Sequence, residues 1–267
     1  RWHGGTGRLL TKSRQPLFYS PTWTANDRIM KHMIVLVASV IIAFTASAQE
    51  KPKDWARFYR YEKANAELAA SGAKVDAVFM GNSITDNWAK FDPEFFTNNG
   101  FAGRGVSGQT TSQMLVRFRR DVLELNPRVL LIMAGTNDIA QNNGPITLEN
   151  ALGNIKSMCE LAKLHGIKVI LCSVPPAAQF PWRKHIEPAQ IIVEFNKMLR
   201  EYAESQKITY LDYYSSLVDD HGGMPEKWSP DGVHPNKECH VTVMEPLALK
   251  AVNKVLHTKK NYISELQ

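Results

Sequence analysis

Four short polar segments of this chain carry residue types that together can run acyl transfer. Gly81-Asn82-Ser83-Ile84-Thr85, Gly105-Val106-Ser107-Gly108 and Gly135-Thr136-Asn137-Asp138 each follow a run predicted as a strand. The fourth, Ser229-Pro230-Asp231-Gly232-Val233-His234-Pro235-Asn236, places an acid three residues before an imidazole. Ser83 offers a hydroxyl nucleophile. His234 suits the role of base because its unperturbed pKa lies near neutrality. Asp231, in the same tight loop, can accept from the other ring nitrogen and fix the tautomer. Pro235 biases His234 toward extended backbone, which holds the imidazole outward. A tetrahedral oxyanion then needs donors: the Ser83 and Gly108 backbone N–H groups and the Asn137 side-chain amide are the candidates, each worth on the order of 3 kcal/mol of barrier. A glycine at 108 lets the backbone approach a substrate closely.

Such residues must be carried to one place by the elements around them. Val75–Met80, Phe101–Gly103, Val129–Ala134, Val169–Val174 and the weaker Ile208–Tyr213 read as strands, mostly as continuous apolar runs. Between them lie helical patterns. The first is capped by Asp54, carries Trp55, Phe58, Tyr61 and Leu68 on one face, and closes at Ser71-Gly72. Others run over Thr111–Leu123, over Leu148–Ala162 with Gly166 just beyond, and from Pro188 through Tyr202; the last runs over Val241–His257, where Pro246 is expected to introduce a kink. Strands alternating with helices predict a parallel sheet covered on both faces. The expected fold is therefore α/β: a single three-layer α/β/α domain over 49–267, with a five-stranded parallel sheet in the flavodoxin-like order 2-1-3-4-5. In such a sheet ligands bind past the carboxyl ends of the strands, where the order reverses. Ser83, Gly108 and Asn137 follow the first, second and third strands, so that order makes them neighbours with Ser83 in the middle.

The four blocks, in their order along the chain from Val75 to Asn236, resemble those of the SGNH hydrolases, the GDSL esterase and lipase family. The resemblance implies that Ser83 is the nucleophile, that Gly108 and Asn137 complete the oxyanion hole with the Ser83 N–H, and that Asp231 and His234 finish the triad. It implies hydrolysis of short acyl esters with no cofactor and no metal. Similarity to secreted bacterial members that deacetylate sugars points to an O-acetylated carbohydrate substrate. The chain departs from many members in having Asn82 where they carry Asp; Asn keeps a turn-forming side chain, and Asn82 joins Trp182 and Arg183 as expected substrate-binding residues. Trp182 and Arg183 lie in a proline-rich excursion, Pro175–Glu187, which reads either as a pocket wall stacking on a sugar face or as a surface loop with the indole tucked onto the core.

Composition narrows the alternatives. The 267 residues carry a net +6, but the first 48 hold +5 of it, and the remaining 219 are nearly neutral. No clustered positive charge is left for a nucleic-acid partner. In the leader, Lys31-His32 precede twelve uncharged residues, Met33–Phe44, followed by Thr45-Ala46-Ser47-Ala48. That is the pattern of a secretory signal peptide over 30–48, cut after Ala48, with 1–29 read as a non-native upstream extension. The apolar run falls short of the about 20 residues a membrane span requires, so export to the periplasm or exterior is expected, without stable membrane insertion. The pattern leaves the oligomeric state open. Cys159, Cys172 and Cys239 read as buried, unpaired thiols. Gly103-Arg104-Gly105-Val106-Ser107-Gly108 also fits a dinucleotide fingerprint, but lacks a placed acid about 20 residues on. His221, His234, Cys239 and His240 with Asp231 match no zinc spacing closely. The rival functions are a lysophospholipase or thioesterase-like hydrolase, a non-catalytic carbohydrate-binding protein on the same scaffold, and a membrane-anchored interaction protein.

Overall fold

Ala77-Val78-Phe79-Met80-Gly81 forms an interior strand of the sheet, flanked by a strand on each side, and all five of its residues are buried. In the computed structural model of the chain, residues 25–26, 29–30, 32–33 and 54–257 are described. The chain divides into two units, Arg1–Lys53 and Asp54–Gln267. In the first, the six described residues are helical and exposed. The expected extension over 1–29 and the expected signal segment over 30–48 otherwise lie outside the described residues.

The second unit holds five parallel strands: β1 (Ala77–Gly81), β2 (Phe101–Gly105), β3 (Val129–Met133), β4 (Lys168–Cys172) and β5 (Thr209–Leu211). Their order is β2-β1-β3-β4-β5, as expected from the sequence. Helices follow in the order α1 (Tyr59–Ser71), α2 (Ser83–Phe91), α3 (Pro93–Asn98), α4 (Thr111–Asp121), α5 (Thr136–Ile139), α6 (Leu148–Leu164), α7 (Pro188–Ser205), α8 (Tyr214–Leu217), α9 (Lys237–Cys239) and α10 (Glu245–His257). None of the described helices is long and apolar enough to cross a membrane.

Alternating side chains of each strand serve two cores. Val78, Met80, Leu130, Ile132 and Leu171 pack with Met114, Phe118, Ile155, Cys159, Phe195 and Leu199 from α4, α6 and α7. Phe79, Leu131, Met133, Ile170 and Cys172 pack on the other side with Trp88, Phe95, Phe96, Ala248 and Val252. Burial on both faces is why the strands read as unbroken apolar runs. The three cysteines are buried and unpaired, and burial pushes the Cys159 and Cys239 thiols up to about 12. They are inert as nucleophiles at neutral pH.

Register decides the placement of the polar segments. Gly81 pairs with Gly105 on one side and with Met133 on the other, so β1, β2 and β3 end level. Whatever follows those strands emerges at one edge of the sheet.

Three local expectations shift. Helix α1 starts at Tyr59, with Phe58 as its N-cap, and Asp54 instead closes a turn in which its carbonyl accepts the Arg57 N–H and its carboxylate the Tyr59 N–H. Trp55 is exposed rather than packed. The last helical stretch begins at Lys237 and widens to π spacing over His240–Met244 before α10; Pro246 falls in the first turn of α10, where a missing N–H is tolerated, after a widened turn that loses no α-type bond to it. Helices α2 and α3 add to the expected set. Asp92 caps α3, accepting the Phe95 N–H at 3.0 Å, with Pro93 at the first helical position.

Candidate active site

Ser83 is the first residue of α2, two residues past β1. Asn82 turns the chain there: its Oδ1 accepts the Ile84 N–H at 3.1 Å and its carbonyl accepts the Asp86 N–H. This work consumes the Asn82 side chain, which is 1% exposed. Asn82, expected to bind substrate, caps the helix and is not among the residues that line the cleft.

Ser83 Oγ lies 2.8 Å from His234 Nε2, and His234 Nδ1 lies 2.7 Å from Asp231 Oδ2. The other Asp231 oxygen accepts the Val233 N–H at 2.9 Å, the His234 N–H at 2.8 Å and the Ser229 hydroxyl at 3.1 Å. Partial burial opposes ionisation of Asp231, but the bonds from His234 and Val233 outweigh it and bring the carboxyl down to about 2. An ionised carboxylate only accepts. It therefore keeps the proton on Nδ1 and leaves the Nε2 lone pair facing the Ser83 hydroxyl, the arrangement a general base requires.

The loop after β2 approaches from the other side. Gly105 makes that approach possible, since a Cβ there would sit 2.1 Å from the Asp86 nitrogen. Gly108 adopts φ +80°, a conformation few side-chain-bearing residues tolerate. Asp86 pins the loop by accepting the Ser107 hydroxyl at 2.7 Å, and also pairs with Arg60 at 2.8 Å and Lys90 at 3.0 Å. Burial would raise the Asp86 pKa, yet these bonds hold it below its ordinary value. From beneath, the Gln109 amide donates to the Ala56 carbonyl at 2.8 Å, and the buried Arg117 donates to Gln109 Oε1, to the Gly81 and Arg104 carbonyls and to Asp121.

Asn137 lies in α5, after Gly135 at φ +125°. Its Nδ2 donates to the Gln109 carbonyl at 2.9 Å, while its Oδ1 accepts from Asn142 Nδ2 at 2.7 Å. One N–H of the amide is left over. Among the described residues the Ser83 and Gly108 N–H groups also make no hydrogen bond to protein. Three uncommitted donors thus border Ser83.

These groups surround an open cleft of about 500 Å3 lined by Ser83, Asn87, Ser107, Gly108, Asn137, Asn142, Trp182, Asp231 and His234. Trp182 stacks on Phe180 with ring centroids 5.3 Å apart and lies 6.0 Å from the His234 ring. Trp182 thus borders the cleft and also packs on the buried Phe180. Arg183, its expected companion, donates from Nε to the Ala140 carbonyl at 3.3 Å and is not among the residues that line the cleft. Asn87 and Asn142 were not among the expected site residues. Asn87 could have been found as the i+4 neighbour of Ser83 on one helix face, whereas nothing in the local pattern marks Asn142. A second cavity of about 480 Å3, bordered by Leu68, Val75, Asn126 and Arg128, lies before the amino ends of β1 and β3 and has no serine, cysteine or histidine in its lining.

Among the described residues no three His, Cys, Asp or Glu side chains are grouped to hold a metal ion. His240 is buried with its nitrogens 2.9 Å from the Asn236 carbonyl and 3.3 Å from that of Ile84.

Residues 68–241, which include all four polar segments, match the GDSL-like Lipase/Acylhydrolase family. The chain belongs to that family. This GDSL acylhydrolase is 47% identical to a protein of Bacteroides fragilis described as an acylhydrolase, whose crystal structure superposes with a TM-score of 0.73 over 76% of this chain and 99% of that one. It is 45% identical to a GDSL-like lipase of Bacteroides thetaiotaomicron, with a TM-score of 0.72 over 75% of this chain and 99% of the other. It also shares 34% identity over 85 residues with the uncharacterized Bacillus subtilis lipoprotein YqeF, a match that spans 31% of this chain and 35% of that protein. As a GDSL acylhydrolase the chain is a hydrolase of acyl esters.

Proposed function

We propose that this acylhydrolase is a serine esterase that removes short acyl groups, acetyl above all, from carbohydrate. The observation that carries the mechanism is the continuous relay from Ser83 Oγ to His234 at 2.8 Å and on to Asp231 at 2.7 Å, bordered by three unspent donors. Ser83 Oγ attacks the acyl carbonyl while His234 Nε2 takes its proton. The oxyanion is held by the Ser83 and Gly108 N–H groups and by the free Asn137 N–H. On collapse of the tetrahedral intermediate, His234 returns the proton to the departing alcohol oxygen and leaves Ser83 acylated. Water, deprotonated by the same imidazole, then releases the acid and restores Ser83. Asp231 stays ionised throughout and stabilises the transient imidazolium.

The cleft lining supports the substrate class. Its nine residues include no aliphatic side chain, and among them Trp182 alone offers a large apolar face, so a long acyl chain finds little to bury against. That weighs against the lysophospholipase alternative. Trp182 is 40% exposed beside the relay, with Asn87 at the same cleft: an apolar face and amide groups are what a sugar ring with its hydroxyls requires. Export after cleavage at Ala48 is supported by the leader pattern and by the lipoprotein YqeF among the relatives.

The test is release of p-nitrophenol from its acetate ester by residues 49–267, beside Ser83→Ala. Loss of turnover in the variant by about 10³-fold or more is expected, with acetylated oligosaccharides cleaved and p-nitrophenyl octanoate turned over slowly. Equal, near-background rates in both proteins would sink the serine mechanism and favour the glycan-binding alternative.

A further inference from the structure

Between the exposed indole of Trp182 and the oxyanion amide of Asn137 stands a side chain with no role so far. Trp182 Nε1 lies 2.9 Å from Asn142 Oδ1, Asn142 Nδ2 lies 2.7 Å from Asn137 Oδ1, and Asn137 Nδ2 lies 2.9 Å from the Gln109 carbonyl. The direction of this chain is fixed at both ends. An indole N–H only donates and a backbone carbonyl only accepts, so neither intervening amide can be reversed without breaking the series. We propose that Asn142 is a positioning residue that locks the Asn137 amide with its second N–H aimed at the oxyanion, and that Trp182 anchors Asn142 through its N–H. The inference rests on Asn137 acting as an oxyanion donor, as proposed above.

The backbone is built for this contact. Helix α5 ends at Ile139 with Ala140 as its cap, Gln141 follows at φ +52°, and the chain closes with Gln141 N–H on the Asp138 carbonyl at 2.9 Å and Asn142 N–H on the Asn137 carbonyl at 3.0 Å. These are the two bonds of a Schellman ending, in which the left-handed position is usually glycine and the residue after it meets the helix three positions before the cap. Here a glutamine takes the left-handed position, and the usual apolar contact is replaced by an amide pair between Asn142 and Asn137. The motif thus swings Asn142 back over Asn137. Asn137 is buried at 3% exposure, so losing its partner would orphan a buried acceptor and free the amide to pivot about its bond to Gln109. An amide that accepts at its oxygen is also a stronger donor at its nitrogen.

The experiment uses the 49–267 protein as wild type, Ser83→Ala, Asn142→Ala, Asn142→Asp, Trp182→Phe and the double variant Asn142→Ala/Trp182→Phe, with p-nitrophenyl acetate. Asn142→Ala is expected to lower kcat by about 10-fold or more with KM held within about twofold, because the lost stabilisation belongs to the transition state. Asn142→Asp has nearly the same size and still accepts from Trp182, but it presents an acceptor to Asn137 and draws the amide round; kcat should fall at least as far as in the alanine variant. Trp182→Phe keeps an aromatic ring and should lower kcat alone, yet add nothing in the double variant, since both changes break one chain. Space-filling by Asn142 would instead be preserved in Asn142→Asp. The inference is overturned if Asn142→Asp, folded by circular dichroism, keeps kcat within twofold of wild type, or if the Trp182 and Asn142 effects multiply. If Ser83→Ala also hydrolyses the ester as fast as wild type, the serine mechanism fails with it; if Ser83→Ala is dead while the Asn142 variants keep kcat, only the coupling fails.

Discussion

Gly108 carries two demands that no other residue meets together: a φ of +80° and an unobstructed N–H at the edge of the cleft. Space is not the constraint, because a Cβ added there meets nothing within 4 Å. Conformation is. An alanine would pull φ toward negative values, at a cost of roughly 1–2 kcal/mol for resisting, and would rotate the N–H away from the developing oxyanion. Gly108→Ala is therefore expected to lower kcat for the acetate ester by about 10²-fold, while urea unfolding moves little. Steady-state kinetics beside a urea titration check both halves, and unchanged kcat would remove Gly108 from the oxyanion hole.

The meeting of β1, β2 and α4 depends on Arg117, whose guanidinium is fully buried in the described structure. It donates to carbonyls at the ends of two strands, to the Gln109 side chain and to Asp121 at 2.8 Å, so one side chain joins the Ser83 and Gly108 loops. Burial lowers its pKa and Asp121 opposes that shift. Replacing it with Met fills most of the volume but takes the ion-pair partner from Asp121, which among the described residues keeps only the bond from the Asn65 amide, a loss of about 3–5 kcal/mol when one partner of a buried pair is removed. Arg117→Met should show a lower urea midpoint, and kcat should fall even well below that midpoint. A midpoint equal to wild type would mean that water replaces the guanidinium. Helical periodicity conceals this residue: position 117 falls on the buried face with Met114 and Phe118, where an arginine is a misfit until its four acceptors are known.

Asp138, next to the site, makes the stability of the molecule depend on pH. Burial pushes Asp138 up to about 6, although the Thr111 N–H and hydroxyl both donate to it. In the unfolded chain its pKa is about 3.9. The fold thus binds this proton more tightly, and the stability it contributes is full below about pH 4 and lost as pH rises through about 6. His240 acts oppositely, since burial lowers its pKa and its contribution is lost on acidification. The informative quantity is therefore a difference: the urea midpoint of wild type minus that of Asp138→Asn should be larger at pH 5 than at pH 7.5. An equal difference at the two pH values would show that Thr111 keeps Asp138 ionised in the fold.

Much of this architecture is legible one residue at a time. The strands are readable because both faces are buried, which removes polar residues from them, and each ends abruptly where the sheet ends. Ser83, Asp231 and His234 stand out because their chemistry tolerates few residue types and Asp231 and His234 share one short loop. The 2-1-3-4-5 order follows from parallel pairing and the convergence it allows. What stayed hidden depends on where side chains point after the chain has closed. Asn82 caps a helix, Arg183 donates to a carbonyl while its neighbour Trp182 lies beside His234, and Asn142 reaches Asn137 because a left-handed glutamine reverses the backbone. Residue type and spacing constrain composition and period, whereas these contacts join groups whose separation is set by packing across elements, and only the folded chain brings them within hydrogen-bonding range.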